Sequence, residues 1–171
     1  MKEPDEKDIP EEVEQVLALL GQYHVPYQLR TFDAPAHHAH EAAVLLDCPL
    51  GAIIKSLLFQ STSTGEMLLV LVSGENRADV DLLRDLTGQS VRPASPGEIL
   101  KRTGYSVGAV PPFGMQGVNQ TIIDVDLMAW ERVWGSAGSV NILLGIAPKD
   151  MQDLSRGRVE AIKFLREGTT R

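Results

Sequence analysis

The sequence predicts a single mixed α/β domain. Three observations point there. Leucine-, isoleucine- and valine-rich runs of strand length recur along the chain. Helical patterns of unequal length are interleaved among them, and neither a repeat nor a linker marks a second domain. With 171 residues and an apolar fraction of 43%, the chain can bury one sizeable core.

Residues 1–8 form an acidic leader. Ile9, Val13, Val16, Leu17 and Leu20 then recur at helical spacing, with Pro10 in the first turn and Gly21 at the end. Val25 to Phe32 reads as a short strand, and a compact helix follows from about His38 to Leu46. Pro49 and Gly51 turn the chain into a strand from Ile53 to Phe59. Ser61 to Gly65 reads as a hairpin loop and Met67 to Val72 as the antiparallel partner.

Val80, Leu82, Leu83 and Leu86 suit a helix closed by Gly88. Ser95-Pro96-Gly97-Glu98 has capping-box spacing with proline at the first helical position, and Thr103-Gly104 ends that helix. Gly104, Gly108, Pro111, Pro112, Gly114 and Gly117 then punctuate a loop anchored by Val110 and Phe113. Thr121 to Val125 reads as a strand. Val133-Trp134 and Asn141 to Ile146 read as two more, around a turn at Gly135-Ser136-Ala137-Gly138-Ser139. A last helix covers Pro148 to Leu154, and 156–171 forms a basic C-terminal extension.

The net charge of -7 argues against a protein that grips long nucleic acid through its overall field, DNA included, but leaves room for a small RNA footprint. The basic tail reads as solvated, with phosphate contact as the alternative. No run approaches the roughly 20 apolar residues of a membrane span, and the N-terminus lacks the order of a signal peptide. The single cysteine, Cys48, excludes an internal disulfide and fits a reducing, cytoplasmic setting.

The residue that stands out is Lys55, inside Ile53-Ile54-Lys55-Ser56-Leu57-Leu58-Phe59. An ammonium in an apolar strand is costly without a partner, so Lys55 either lines a functional pocket or carries its head to water along its stem. Alternation puts it on the face of Ile53 and Leu57. The Gly104–Gly117 loop could present backbone to a ligand or be a structural turn, and it matches neither phosphate-loop spacing nor Gly-x-Gly-x-x-Gly.

His37, His38, His40 and Glu41 are the densest set of metal-ligand types. Val44 stands where the zinc-protease pattern requires histidine, so exposed helix-start histidines are expected. Asp124 and Asp126 share a strand face, with capping as the plainer role for Asp126. Cys48 reads as a small buried hydrophobe, and Trp130 and Trp134 as core or interface anchors.

Together these segments resemble the YbaK/EbsC family of aminoacyl-tRNA deacylases, related to the editing domain of bacterial prolyl-tRNA synthetases. The likeness runs through His40-Glu41-Ala42-Ala43, the Lys55 strand, Leu69 to Gly74, Ser95 to Glu98, Gly104-Tyr105, Gly108 to Gly114, Ile122-Ile123-Asp124 and Val133 to Gly138. It implies a YbaK-type mixed-sheet domain over 9–155 with surrounding helices. Lys55 is then the active-site residue, and the Gly-x-x-x-Pro loop is Gly108, Ala109, Val110, Pro111 and Pro112. Asp124, Ser136 and Gly138 would complete the substrate-binding set.

The implied activity is trans-editing of Ala-tRNA(Pro) or Cys-tRNA(Pro), without cofactor or metal. The partners would be the mischarged tRNA acceptor end and an aminoacyl-tRNA synthetase. A non-catalytic tRNA- or synthetase-binding module and a small-molecule ester hydrolase are the alternatives. Ser139 stands where some alanine-editing relatives carry a histidine, which weakens an automatic alanine assignment.

Overall fold

The strand Met67–Ser73 is buried along its whole length, so it needs apolar cover on both faces. A computed structural model, describing residues 9–36 and 38–165, shows where that cover comes from. The elements in chain order are α1 (Glu11–Gln22), β1 (Tyr27–Thr31), α2 (Ala39–Leu46), β2 (Ile54–Ser61), β3 (Met67–Ser73) and α3 (Val80–Thr87). They continue with β4 (Val91–Pro93), α4 (Pro96–Thr103), β5 (Gln120–Asp124), β6 (Val133–Ser139), β7 (Ile142–Ile146), α5 (Pro148–Ser155) and β8 (Arg158–Glu160).

Two sheets form, one of order β4-β2-β3-β5-β8 and one of order β1-β7-β6. The first is mixed: β2 pairs antiparallel with β3 and β4, while β3–β5 and β5–β8 are parallel. Residues alternate across β3. Met67, Leu69 and Leu71 join α1 and the β6–β7 hairpin in one cluster, while Leu68, Val70 and Val72 meet Leu83 and Ile162 in another. A third cluster seats Ala42 and Ala43 of α2 on Phe32, Ile53, Trp134 and Leu143.

The β2–β3 hairpin, the helix closed by Gly88 and the Ser95 capping box all stand as expected, with Pro96 at the start of α4 and Glu98 returning to the Ser95 amide. Three features differ. Gly135 to Ser139 is strand rather than turn; a bulge between Ser136 and Ser139 lets small residues stay in β6, and the chain reverses after Ser139. The edge strands β4 and β8 were not anticipated, because three residues are too few to display a period. Part of the basic extension is therefore packed into the domain: Arg158–Glu160 pairs with β5, and Ile162 is fully buried. Among the described residues no helix is long and apolar enough to cross a membrane.

Candidate functional site

Along β2 the partner strand changes, and that change makes a cavity. β4 pairs only with Phe59, Gln60 and Ser61, which leaves the edge at Ile54 to Leu57 without a strand neighbour among the described residues. A single bridge, Ile53 to Trp134, ties this end to β6. The gap between the two sheets is a cavity of about 280 Å³. Its walls are Ile53 to Leu57, Trp134 to Ser136, the start of α2 and the loop residues Val107, Gly108 and Val110.

Lys55 lies on this wall. Its ammonium donates to the carbonyl of Gly74, 3.1 Å away, and to that of Asn76. An ammonium has three donors, so one is left for a ligand. Burial lowers the Lys55 pKa from the ordinary 10.5; the Asp124 carboxylate opposes this, and the nearby Arg77 guanidinium adds to it.

The turn that receives Lys55 is itself held from below. The buried Asp124 carboxylate accepts from the Ser73 amide at 3.1 Å and from the Asn76 side-chain amide at 2.8 Å. Asn76 also donates to Asp126 at 2.7 Å. Gly74 has no room for a side chain, since a Cβ there would stand 2.2 Å from the Leu50 carbonyl oxygen.

Gly108 has φ of +85°, a conformation that disfavours any side chain, and this bends the loop over the cavity. Of the residues expected from sequence, Lys55, Gly108, Val110 and Ser136 line the cavity; Ala109, Pro111, Pro112, Asp124 and Gly138 stand outside its lining. Pro112 backs Gly135, with its Cδ 3.7 Å from where a Cβ would be. Gly138 packs against the Glu12 carbonyl of α1 instead. The Ser136 hydroxyl is committed to the bulge, accepting from the Gly138 amide and donating to the Ser139 carbonyl, each at 3.1 Å.

Sequence reasoning passed over Ser56. The residue lines the cavity, and its hydroxyl is buried with no hydrogen-bond partner; among the described residues, only Thr31 has another such oxygen. A serine next to the strand lysine was the available signal, but nothing in the sequence reveals an unpaired hydroxyl. Trp134 lines the cavity with the Arg30 guanidinium 5.8 Å from its ring centre. His38 joins the lining, and its amide donates to Glu41 at 3.2 Å as α2 begins. His37 lies outside the described residues, and among those described no group of three or more His, Cys, Asp or Glu could hold a metal ion.

Cys48 sits apart, on a shallow groove with His40 and Asp47. Burial, then the Asp47 charge, pushes its thiol pKa up, which is unfavourable for a nucleophile. A larger cleft, about 810 Å³, runs between α1, the 113–119 loop and α5. It holds neither Lys55 nor the Ser56 hydroxyl, so volume alone does not identify the chemistry.

Comparison with known proteins gives the family of the fold that holds this cavity. The model of the aminoacyl-tRNA editing domain family matches residues 33–154. YwhH, an uncharacterised protein of Bacillus subtilis, is 29% identical over 128 residues, covering 75% of this chain and 81% of the relative. EbsC of Enterococcus faecalis, provisionally named a Cys-tRNA(Pro)/Cys-tRNA(Cys) deacylase, is 25% identical over 149 residues, covering 85% and 90%. A crystal structure provisionally identified as a trans-editing enzyme for prolyl tRNA synthetase superposes with a TM-score of 0.83 and 30% identity, over 92% of this chain and 100% of that one. The Lys55 strand and its glycine loop thus lie within a matched fold, and the chain belongs to the aminoacyl-tRNA editing domain family, of the aminoacyl-tRNA deacylase class.

Proposed function

We propose that this protein acts in trans on mischarged tRNA, hydrolysing the aminoacyl ester of Ala-tRNA(Pro) or Cys-tRNA(Pro). The observation that carries the reading is the Lys55 ammonium, tied to two carbonyls of one turn on the wall of the inter-sheet cavity. Held there, it binds the terminal phosphate or the aminoacyl moiety and aligns the ester. The Gly108 loop faces the amino-acid end, and the Ser56 hydroxyl offers a polar contact.

Water adds to the ester carbonyl carbon, helped by the neighbouring ribose hydroxyl. The bond to the ribose oxygen then breaks, and that oxygen takes a proton. The products are the free amino acid and uncharged tRNA. No protein acyl intermediate is required, in keeping with the raised Cys48 pKa.

Ala36, Ala39, Ala42, Ile53 and Val110 favour a small amino-acid side chain within the cavity. Apolar walls separate alanine from cysteine only modestly, so both remain substrates in this reading. A synthetase partner would deliver the acceptor end to a protein whose net charge of -7 gives it little general hold on RNA.

Purified Ala-, Cys-, Ser- and Pro-charged tRNAs of several identities test the assignment. Faster release of alanine or cysteine from tRNA(Pro) than of proline is expected. Equal hydrolysis of simple esters and intact charged tRNA would replace it with a small-molecule esterase.

A further inference from the structure

Beside Lys55 stands a second cation that the proposed chemistry does not use. Arg77 directly follows Asn76, whose carbonyl receives the Lys55 ammonium. Its side chain is exposed, and among the described residues it makes no ion pair. Of the nearby acids, Glu75 leans toward Gly51, its carboxyl carbon 3.4 Å from where a Cβ there would lie. Asp126 accepts from Asn76 at 2.7 Å and faces Lys163 at 3.7 Å, while Asp79 caps α3. Two neighbouring cations repel unless an anion comes between them.

Under Arg77 lies an aromatic ring held in the open. The Phe164 centroid is 5.9 Å from the guanidinium carbon, and 49% of the residue is exposed. Its placement is secured by backbone. The Phe164 amide donates to the Arg77 carbonyl at 2.7 Å, and the Asp79 amide donates to the Ile162 carbonyl at 2.8 Å. Ala78 bridges Lys163, and Ile162 is fully buried. The backbone that carries the ring is therefore anchored. The family match ends at residue 154, so this part of the chain lies beyond it.

We propose that Arg77 and Phe164 bind the unpaired RNA leading into the Lys55 cavity, the guanidinium taking a phosphodiester and the ring stacking a base. This rests on the reading of the chain as a tRNA deacylase and adds the route by which the acceptor end enters. A phosphate contact from Arg and a sequence-tolerant aromatic stack are the usual means of holding single-stranded nucleic acid. The two contacts are local, which suits a chain with an unfavourable overall charge.

The test uses the full chain with Arg77→Gln, Arg77→Lys, Phe164→Ala and Phe164→Trp. Binding is measured to an uncharged acceptor-stem RNA, with and without its unpaired 3′ end, and KM and kcat to the charged tRNA. Arg77→Gln and Phe164→Ala are expected to weaken binding of the unpaired-end RNA by about five-fold or more, raising KM more than they lower kcat. Arg77→Gln should also flatten the salt dependence by about 0.7 in log–log slope, and the Lys and Trp variants should recover much of the loss. The blunt RNA should bind parent and variants alike.

If all four bind the unpaired-end RNA like the parent, the inference is overturned even where deacylation stands. The same holds if activity falls with RNA binding unchanged, which would indicate a protein-docking or purely structural surface. Absence of deacylation by the parent would remove the proposed function, and the RNA-binding comparison would still decide this inference.

Discussion

Asp124 holds Lys55 in place without touching it. The carboxylate accepts the side-chain amide of Asn76 at 2.8 Å, and the carbonyl of Asn76 receives the Lys55 ammonium. A second bond, donated to Asp124 by the Ser73 amide at 3.1 Å, fixes the residue before Gly74, the other carbonyl partner. The aspartate thus sets the shape of the turn, and the turn sets the lysine.

Replacing Asp124 with Asn keeps the volume, but both carboxylate oxygens accept, Oδ2 from Ser73 and Asn76 and Oδ1 from the Asp126 amide, so the new NH2 must face a donor. About 1–3 kcal/mol of stability should be lost as the donor facing that NH2 goes unsatisfied, seen in thermal or urea unfolding. Deacylation should fall as well. A positioning role also predicts that the Lys55 pKa drops further, because the Asp124 charge supports the ammonium; titration of the lysine by NMR reads this directly.

The pH dependence follows from the lowered Lys55 pKa. Burial is the main cause, and the protonated form is the one that binds an anion or a carbonyl. Enzymatic deacylation, corrected for spontaneous ester hydrolysis, should therefore decline with rising pH at a value below 10.5. The sign for stability is opposite. Between the folded pKa and 10.5 the unfolded chain binds more protons, so this group's contribution to stability rises with pH. An alkaline limb at the unperturbed lysine value would contradict the burial.

Ser56→Ala separates function from stability. Removing a buried hydroxyl that has no partner should leave the unfolding free energy unchanged or raise it by up to about 1–3 kcal/mol, with the melting temperature following. Loss of its contact to the substrate should raise KM several-fold. A melting temperature that falls while KM holds would mean that the hydroxyl serves the fold.

Much of the frame around this site is legible in the sequence, for local reasons. The β2–β3 hairpin shows its strands and its loop, and α4 announces itself through Ser95, Pro96 and Glu98. Lys55 stands out because a charge in an apolar strand needs an explanation. What stayed hidden depends on long-range pairing. Gly135 to Ser139 has the composition of a turn, yet it belongs in β6. Gly135 passes Ile54 there, with only 3.3 Å between a would-be Cβ and the Ile54 Cδ1. β8 and the anchored backbone at Phe164 exist because distant backbone meets β5 and the segment after Asn76.

The most direct measurement compares the parent and Lys55→Ala on Ala-tRNA(Pro) and Cys-tRNA(Pro), with circular dichroism confirming that both are folded. Removing the ammonium should cut deacylation by at least about 100-fold while leaving the fold intact. Hydrolysis by the folded variant at the parent's rate on every charged tRNA would contradict the central role of Lys55.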